Sequence, residues 1–343
     1  MLKNKKKEIF IWCSEISRHS GEGLLALNFI EDIKKIKNIN IVVKTPGYKI
    51  FKFKQQEIIN NRFKENSKLS KYLNIFTGIL YCWFFFLRKK KVCYLNYLPL
   101  WNFIIFLLLP PKTILGPITG GSAISNTINI SYLIRVFLFP VFYKISLAFI
   151  YMRTSQILFS TNLLNKYAIK KDKQYYFNFV FRQIKDKKIK KKTIDLLIYN
   201  REYENKYTDL MSIIKTFLAL KKSVHVVGNQ IMFKGVVNHG YIKNEEVQYL
   251  LKKTKYTTNS SENFYSLFII QAISNKVKII VSSFDKKRIV SYNPKVFLSH
   301  TNYKKKINLH YKNNIIDFKN FYKILNRQTI SNKKIKTYLL SFF

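Results

Sequence analysis

The stretch Tyr256–Ser283, YTTNSSENFYSLFIIQAISNKVKIIVSS, reads as strand, polar turn, helix and strand. Leu267, Ile270 and Ile273 recur at helical spacing, while Lys278–Val281 is rich in β-branched residues and bounded by Ser282 and Ser283. Glu262 therefore falls just before a helix N-terminus, at the carboxyl end of a short strand, where open α/β sheets form their ligand crevices. A lone carboxylate in that turn is either a solvated capping residue or a group that faces a ligand.

Working outward, the periodicity predicts a strand over 194–199, a helix over 207–221, strands over 223–227 and 236–237, and a helix over 244–253. In the N-terminal half, Glu8–Cys13 is strand-like and Ser20–Gly23 is a small-residue turn. Leu24–Lys37 is an amphipathic helix with Leu25, Phe29, Ile33 and Ile36 on one stripe, and Asn40–Val43 is a further strand. Residues 72–109 hold two long uncharged runs around the basic block Arg88–Lys91, which admits a membrane span. Asn96, Pro99, Asn102, Pro110 and Pro111 argue instead for a buried βαβ unit, with a strand over 92–98, a helix over 100–109 and a strand over 113–115. Tyr132–Met152 carries Arg135, Pro140 and Lys144, a mixture suited to a helix lying on a membrane surface.

Strands alternating with helices predict an α/β protein of two Rossmann-like parallel-sheet domains facing each other across a cleft. At 343 residues the chain has room for about two such domains. The basic stretch Lys185–Lys192 reads as the linker, giving an N-terminal domain over 1–185 and a C-terminal domain over 193–316. Residues 317–343 read as a basic helical segment that packs back on the N-terminal domain.

The formal charge of +43 invites a nucleic-acid partner, but 52 of the 61 cations are Lys and only 9 are Arg. Nucleic-acid readers rely on the planar fork of Arg, and zinc spacings, RNA-binding glycine-aromatic motifs and basic-heptad patterns are all missing, so no nucleic-acid partner is expected. Cys13, Cys82 and Cys93 lie in apolar runs and read as buried thiols of a reducing compartment. The apolar run after Lys7 is too short for a secretory signal, so a cytoplasmic protein is expected.

Taken in order, GPITGG (116–121), YNREYENK (199–206), VVGN (226–229), VNHGYIKNEEVQYLL (237–251) and SSENFYSLFIIQA (260–272) resemble a GT-B fold glycosyltransferase, nearest to the family 4 group of nucleotide-sugar-dependent enzymes. The resemblance implies that Arg201 and Lys206 hold a donor diphosphate and that Glu262 lies near the donor sugar. The family's second glutamate, eight residues on and bound to the ribose, falls here on Gln271, nine residues on. Gln keeps an acceptor oxygen and gives up the charge-assisted bond. The added residue would turn a helix by about 100° and must be absorbed around Asn263–Ser266. If it is, Ser261–Ser266 supplies backbone N–H groups to the diphosphate, with His239 and Gly240 beside the nucleotide.

In the N-terminal half, Gly120 and Gly121 let backbone approach a ligand, and HSGEG (19–23) places Gly21 and Gly23 before a helix in the manner of the family's first Gly-rich loop. His19 and Glu22 are the groups there able to act as general base on an acceptor hydroxyl. The seven aspartates include no pair two residues apart, so a metal-dependent transferase is not expected, and no cofactor is expected beyond the nucleotide sugar as co-substrate. The implied reaction moves a sugar from a nucleotide-diphosphate donor to a glycan or lipid-linked acceptor in cell-envelope synthesis, with the chain peripheral on the anionic inner face of the cytoplasmic membrane. A nucleotide-sugar epimerase of similar fold, and a non-catalytic membrane- or nucleic-acid-binding protein on a degenerate transferase fold, stand as alternatives.

Overall fold

The computed structural model describes residues 7–17, 20–36, 39–45, 50–53, 68–120, 130–154, 156–160, 174–176, 191–200, 210–258, 266–281, 297–299 and 338–342. The chain separates into two compact units, Met1–Val180 with Ile330–Phe343, and Phe181–Thr329.

The first unit begins with β1 (Lys7–Cys13), α1 (Gly21–Lys34), β2 (Ile39–Lys44), β3 (Ile50–Phe53) and α2 (Lys68–Leu87). It continues through β4 (Lys91–Leu95), β5 (Leu98–Pro99), α3 (Phe103–Leu108), β6 (Ile114–Leu115) and β7 (Ile118–Thr119). After α4 (Ile130–Leu133) come a π-helical turn (Ile134–Leu138), α5 (Phe139–Arg153), β8 (Ile157–Phe159) and β9 (Gln174–Tyr176). One sheet runs β3-β2-β1-β4-β6, parallel except for the edge strand β3, and a second runs β5-β7-β8-β9. Ile9 to Cys13 are all buried, as a central parallel strand covered on both faces requires. From the C-terminal segment, Tyr338 is buried in this unit and its hydroxyl donates to Leu115 O at 3.4 Å.

Three expectations change. α1 starts at Gly21, not Leu24, because Ser20 Oγ accepts the Gly23 N–H at 2.9 Å and caps the helix three residues earlier. The strand expected over 92–98 is two strands in different sheets. Asn96 Oδ1 accepts the Tyr97 N–H at 2.8 Å, and Leu100 N–H donates to Thr119 O at 2.7 Å, so the chain breaks at Asn96 and re-pairs elsewhere. That pairing also delays the helix expected over 100–109 to Phe103. The uncharged run 72–87 is helical, and among the described residues no helix is long and apolar enough to cross a membrane. All three cysteines are buried free thiols, and burial pushes Cys13 up to about 12.

The second unit contains β10 (Ile194–Asn200), α6 (Leu210–Ala219), β11 (Val224–Gly228), β12 (Val236–Asn238), α7 (Asn244–Lys253), β13 (Thr254–Thr258), α8 (Leu267–Ser274), β14 (Lys278–Val281) and β15 (Phe297–Ser299). Its six-stranded sheet has the order β12-β11-β10-β13-β14-β15, parallel throughout. The strand order reverses between β10 and β13, which is the topological switch point of a doubly wound sheet. Lys192, the last residue of the expected linker, belongs to this unit's frame. Its Nζ donates to Thr254 O, Asn275 O and Lys276 O at 2.6, 3.1 and 2.9 Å, and burial brings its pKa down to about 8.

Candidate functional site

The site is built at the carboxyl ends of β10, β11, β12 and β13. β10 and β13 are held in register by Leu196 beside Tyr256 and Leu197 beside Thr257, and end at Asn200 and Thr258. Thr257 Oγ1 donates to Leu197 O at 2.6 Å and Thr258 Oγ1 donates to Ile280 O at 3.1 Å, so β13 is pinned to both neighbours just before the crevice. Tyr199 stacks on Phe268 with ring centroids 5.4 Å apart, which brings the first turn of α8 beside the end of β10. Ser266 caps α8, its Oγ accepting the Ile269 N–H at 3.3 Å, and no acid lies in the first turn. That helix end presents N–H groups and partial positive charge.

The neighbouring strand ends form a closed latch. Asn200 is only 7% exposed. Its Nδ2 donates to Asn229 O, and its own O accepts the Asn229 N–H, both at 3.0 Å. Gly228 N–H donates to Gly240 O at 2.8 Å, His239 N–H donates to Val226 O at 2.8 Å, and the Tyr241 hydroxyl bonds Asn229 Oδ1. Gly228 has φ +95°, and a Cβ there would lie 2.0 Å from Asn200 O, so no other residue fits between β10 and β11. His225 Nδ1 lies 2.9 Å from His239 Nε2 with the rings stacked. Burial first, and His239 second, hold the His225 imidazole below its ordinary pKa, which favours the neutral ring.

His239 and Gly240 thus stand at the strand ends, and Ser266 stands at the α8 cap. Gln271 lies one turn into α8, 9% exposed, with Nε2 donating to Asn244 Oδ1 at 2.8 Å across to α7 and Oε1 buried without a partner among the described residues. Arg201, Lys206, Glu262 and Asn263 lie outside the described residues. Arg201 directly follows Asn200 in sequence, and Glu262 follows Thr258 by four residues.

In the first unit, the carboxyl end of β1 leads to α1 through a carboxylate cluster. Glu15 accepts from the Ser17 hydroxyl and, at 2.6 Å, from the Ser20 hydroxyl. The exposed Glu22 accepts from Ser14 Oγ at 2.7 Å. Gly21 and Gly23 lie within the first turn of α1, Gly23 pressed against the backbone of Ser17. Gly120 follows β7 and is half-buried, while His19 and Gly121 lie outside the described residues.

Sequence reasoning missed Glu15, Asn200 and Asn229. Glu15 directly follows the end of β1 by two residues, and Asn200 and Asn229 each adjoin a strand end, so a search of strand termini for polar side chains would have found them. Among the described residues, no three His, Cys, Asp or Glu side chains are grouped to hold a metal ion.

No protein-family model matches the chain, and no curated protein matches it in sequence. Solved structures match it in fold. Anabaena Alr3699/HepE in complex with UDP and glucose is 8% identical, with a TM-score of 0.55 over 97% of this chain and 98% of that one. The Methanocaldococcus jannaschii UDP-GlcNAc 2-epimerase in complex with UDP-GlcNAc and UDP is 10% identical, with a TM-score of 0.50 over 93% and 98%. A mutant of S. aureus TarM in complex with Fondaparinux, alpha-GlcNAc-glycerol and UDP is 14% identical, with a TM-score of 0.51 over 78% of this chain and 58% of that one. The chain therefore has the GT-B-type fold of parallel-sheet α/β units that its motif order led one to expect.

Proposed function

We propose that the protein is a glycosyltransferase that takes a sugar from a nucleoside-diphosphate donor and passes it to a saccharide or lipid-linked hydroxyl. The observation that carries this reading is the switch point between β10 and β13, where the first turn of α8, which has no acid, lies beside the strand end that leads directly into Arg201. A diphosphate suits that position, because helix N–H groups and a guanidinium both stabilise charge on it. HepE and TarM each hold UDP together with a sugar or glycoside, which supports a nucleotide-sugar donor here.

In the proposed reaction the acceptor oxygen forms a bond to the anomeric carbon as the bond from that carbon to the diphosphate oxygen breaks. Arg201, Lys206 and the N–H groups of 261–266 take up the charge on the leaving diphosphate, and Glu262 contacts the donor sugar. The acceptor proton passes to a carboxylate or imidazole of the α1 approach, Glu22 or His19. No metal has a role in this scheme. Gln271 is tied to α7 by its Nε2 through Asn244, and its Oε1 is the acceptor that the scheme offers to the ribose, with His239 beside the nucleotide.

A thermal-shift series with UDP, GDP, ADP, TDP and CMP tests the reading. A ligand at a hundred times its dissociation constant stabilises the folded state by about 2.7 kcal/mol. One diphosphate should raise the melting temperature of the wild type and not of Arg201→Ala; no shift with any of the five would sink the donor site. The epimerase reading is favoured by the full-length likeness to the M. jannaschii enzyme. It is separated by incubating the protein with UDP-GlcNAc alone and looking for the carbon-2 epimer.

A further inference from the structure

The outward faces of the first unit's helices are apolar where solvent-facing helices are normally charged. On α2, Phe76, Leu80, Phe84 and Leu87 follow one another at helical spacing and are all exposed, Leu80 by 67% and Leu87 by 73%. On α3 the exposed residues are Ile104, Leu107 and Leu108, and on α5 they are Val141, Ile145 and Met152. These helices are neighbours. Trp83 Nε1 on α2 donates to Leu108 O on α3 at 2.8 Å, and Arg153 on α5 donates to Phe106 O on α3 at 3.0 Å. Three adjacent stripes make one apolar face, larger than the scattered apolar residues a solvated surface carries.

The segment that carries this face has charge of one sign. Between Glu65 and Asp172 the sequence contains no acid and 13 Lys or Arg. α2 runs into exposed Arg88 and Lys89 and the exposed Lys91 of β4, with the Arg88 guanidinium 3.9 Å from the centre of the Phe84 ring. Lys112 and Lys144 are also exposed. Lys90 is set apart, facing Glu8 at 3.9 Å.

We infer that this face docks on an anionic lipid bilayer, with the α2, α3 and α5 stripes entering the acyl boundary and Arg88, Lys89 and Lys91 lying among the headgroups. Apolar side chains gain by leaving water, and cations beside them gain from the negative surface potential. A second copy of the chain is the poorer occupant, since this segment offers no acid to meet its own cations. The inference is independent of the donor site.

Vesicle co-sedimentation tests it, using phosphatidylcholine alone and phosphatidylcholine with about one third phosphatidylglycerol. The full chain should sediment with the anionic vesicles and be released at high salt. Arg88→Gln with Lys89→Gln and Lys91→Gln should weaken partitioning on the order of a hundredfold. Phe76→Ser with Leu80→Ser should weaken it on both vesicle types. All five positions are exposed, so melting temperatures should stay at the wild-type value, and any UDP shift should persist in both variants, which separates this test from that of the donor site. Wild-type protein left in the supernatant, or partitioning unchanged in both variants, overturns the inference. A dimer in sedimentation velocity that Phe76→Ser with Leu80→Ser dissociates would assign the face to a second copy instead.

Discussion

The N-termini of α1 and α8 are capped alike and charged differently. Each follows a strand of a parallel sheet, and each has a serine whose Oγ accepts an N–H of the first turn, at 2.9 Å for Ser20 and 3.3 Å for Ser266. At α1 the surroundings are acidic: Glu15 holds the Ser17 and Ser20 hydroxyls, and Glu22 lies in the first turn. At α8 the first turn has no acid. A helix N-terminus carries roughly half a unit of positive charge. At α1 the protein's own carboxylates answer that charge, which leaves an end suited to a hydroxyl. At α8 no carboxylate among the described residues answers it, and in the proposed scheme the donor's anion does.

The largest effect that could break this comparison comes from packing. A Cβ at Gly23 would stand 2.5 Å from Ser17 Oγ and 2.7 Å from both the N and O of Ser17, and backbone cannot yield as a side chain can. Gly23→Ala should therefore lose about 2–4 kcal/mol of unfolding free energy in guanidinium titration. Gly21→Ala is the control in the same turn, since its Cβ would meet only a Tyr97 ring carbon at 4.0 Å. It should be neutral or stabilising by up to about 1 kcal/mol. Similar losses in both variants would mean that Glu15 is not clamped to α1 by the Ser17 turn.

Removing the caps comes next. Ser20→Ala and Ser266→Ala should each cost about 1 kcal/mol. Only Ser266→Ala should reduce a nucleotide-induced thermal shift. An equal reduction in Ser20→Ala would show that the two ends do not differ as their charges say.

The His225–His239 pair adds a pH dependence. His225 is held below its ordinary pKa by burial and by His239, so the unfolded chain binds the proton more tightly than the folded one. The associated stability is complete above about pH 6.5 and is lost as pH falls from there through the folded pKa. His225→Asn should flatten that part of a stability–pH curve. An unchanged slope would place the acid sensitivity elsewhere.

Much of the fold was legible because buried parallel strands are predominantly apolar. Ile194–Asn200, Val224–Gly228 and Lys278–Val281 lie within a residue or so of their expected bounds. Where reading failed, a local hydrogen bond overrode the pattern. Val92–Leu98 looks like one strand, and the Asn96 side chain divides it by bonding the next N–H. Of the candidate site, the strand end before His239 and Gly240 and the cap at Ser266 were legible. The Asn200–Asn229 latch was not, because an asparagine beside a strand looks the same in sequence whether it faces water or closes a crevice.

Helix ends were hard to read for a compositional reason, and the smallest prediction follows from it. α2, α6 and α8 each close in a double-bonded C-terminal turn whose left-handed residue is a lysine. Lys90 N–H donates to Phe85 O and Lys89 N–H to Phe86 O; Lys222 and Lys221 donate likewise to Phe217 and Leu218, and Val277 and Lys276 to Ala272 and Ile273. Lys89, Lys221 and Lys276 have φ of 58°, 52° and 55°, where glycine is the usual residue. With only ten glycines in 343 residues, the chain ends its helices without the marker a reader looks for. A side chain in the left-handed region costs roughly 1–2 kcal/mol, partly offset because glycine loses more entropy on folding. Lys221 is exposed, so Lys221→Gly should raise the unfolding free energy by up to about 1 kcal/mol with the nucleotide shift unchanged. A loss on that substitution would show that Lys221 contributes more by its side chain than it costs by its backbone.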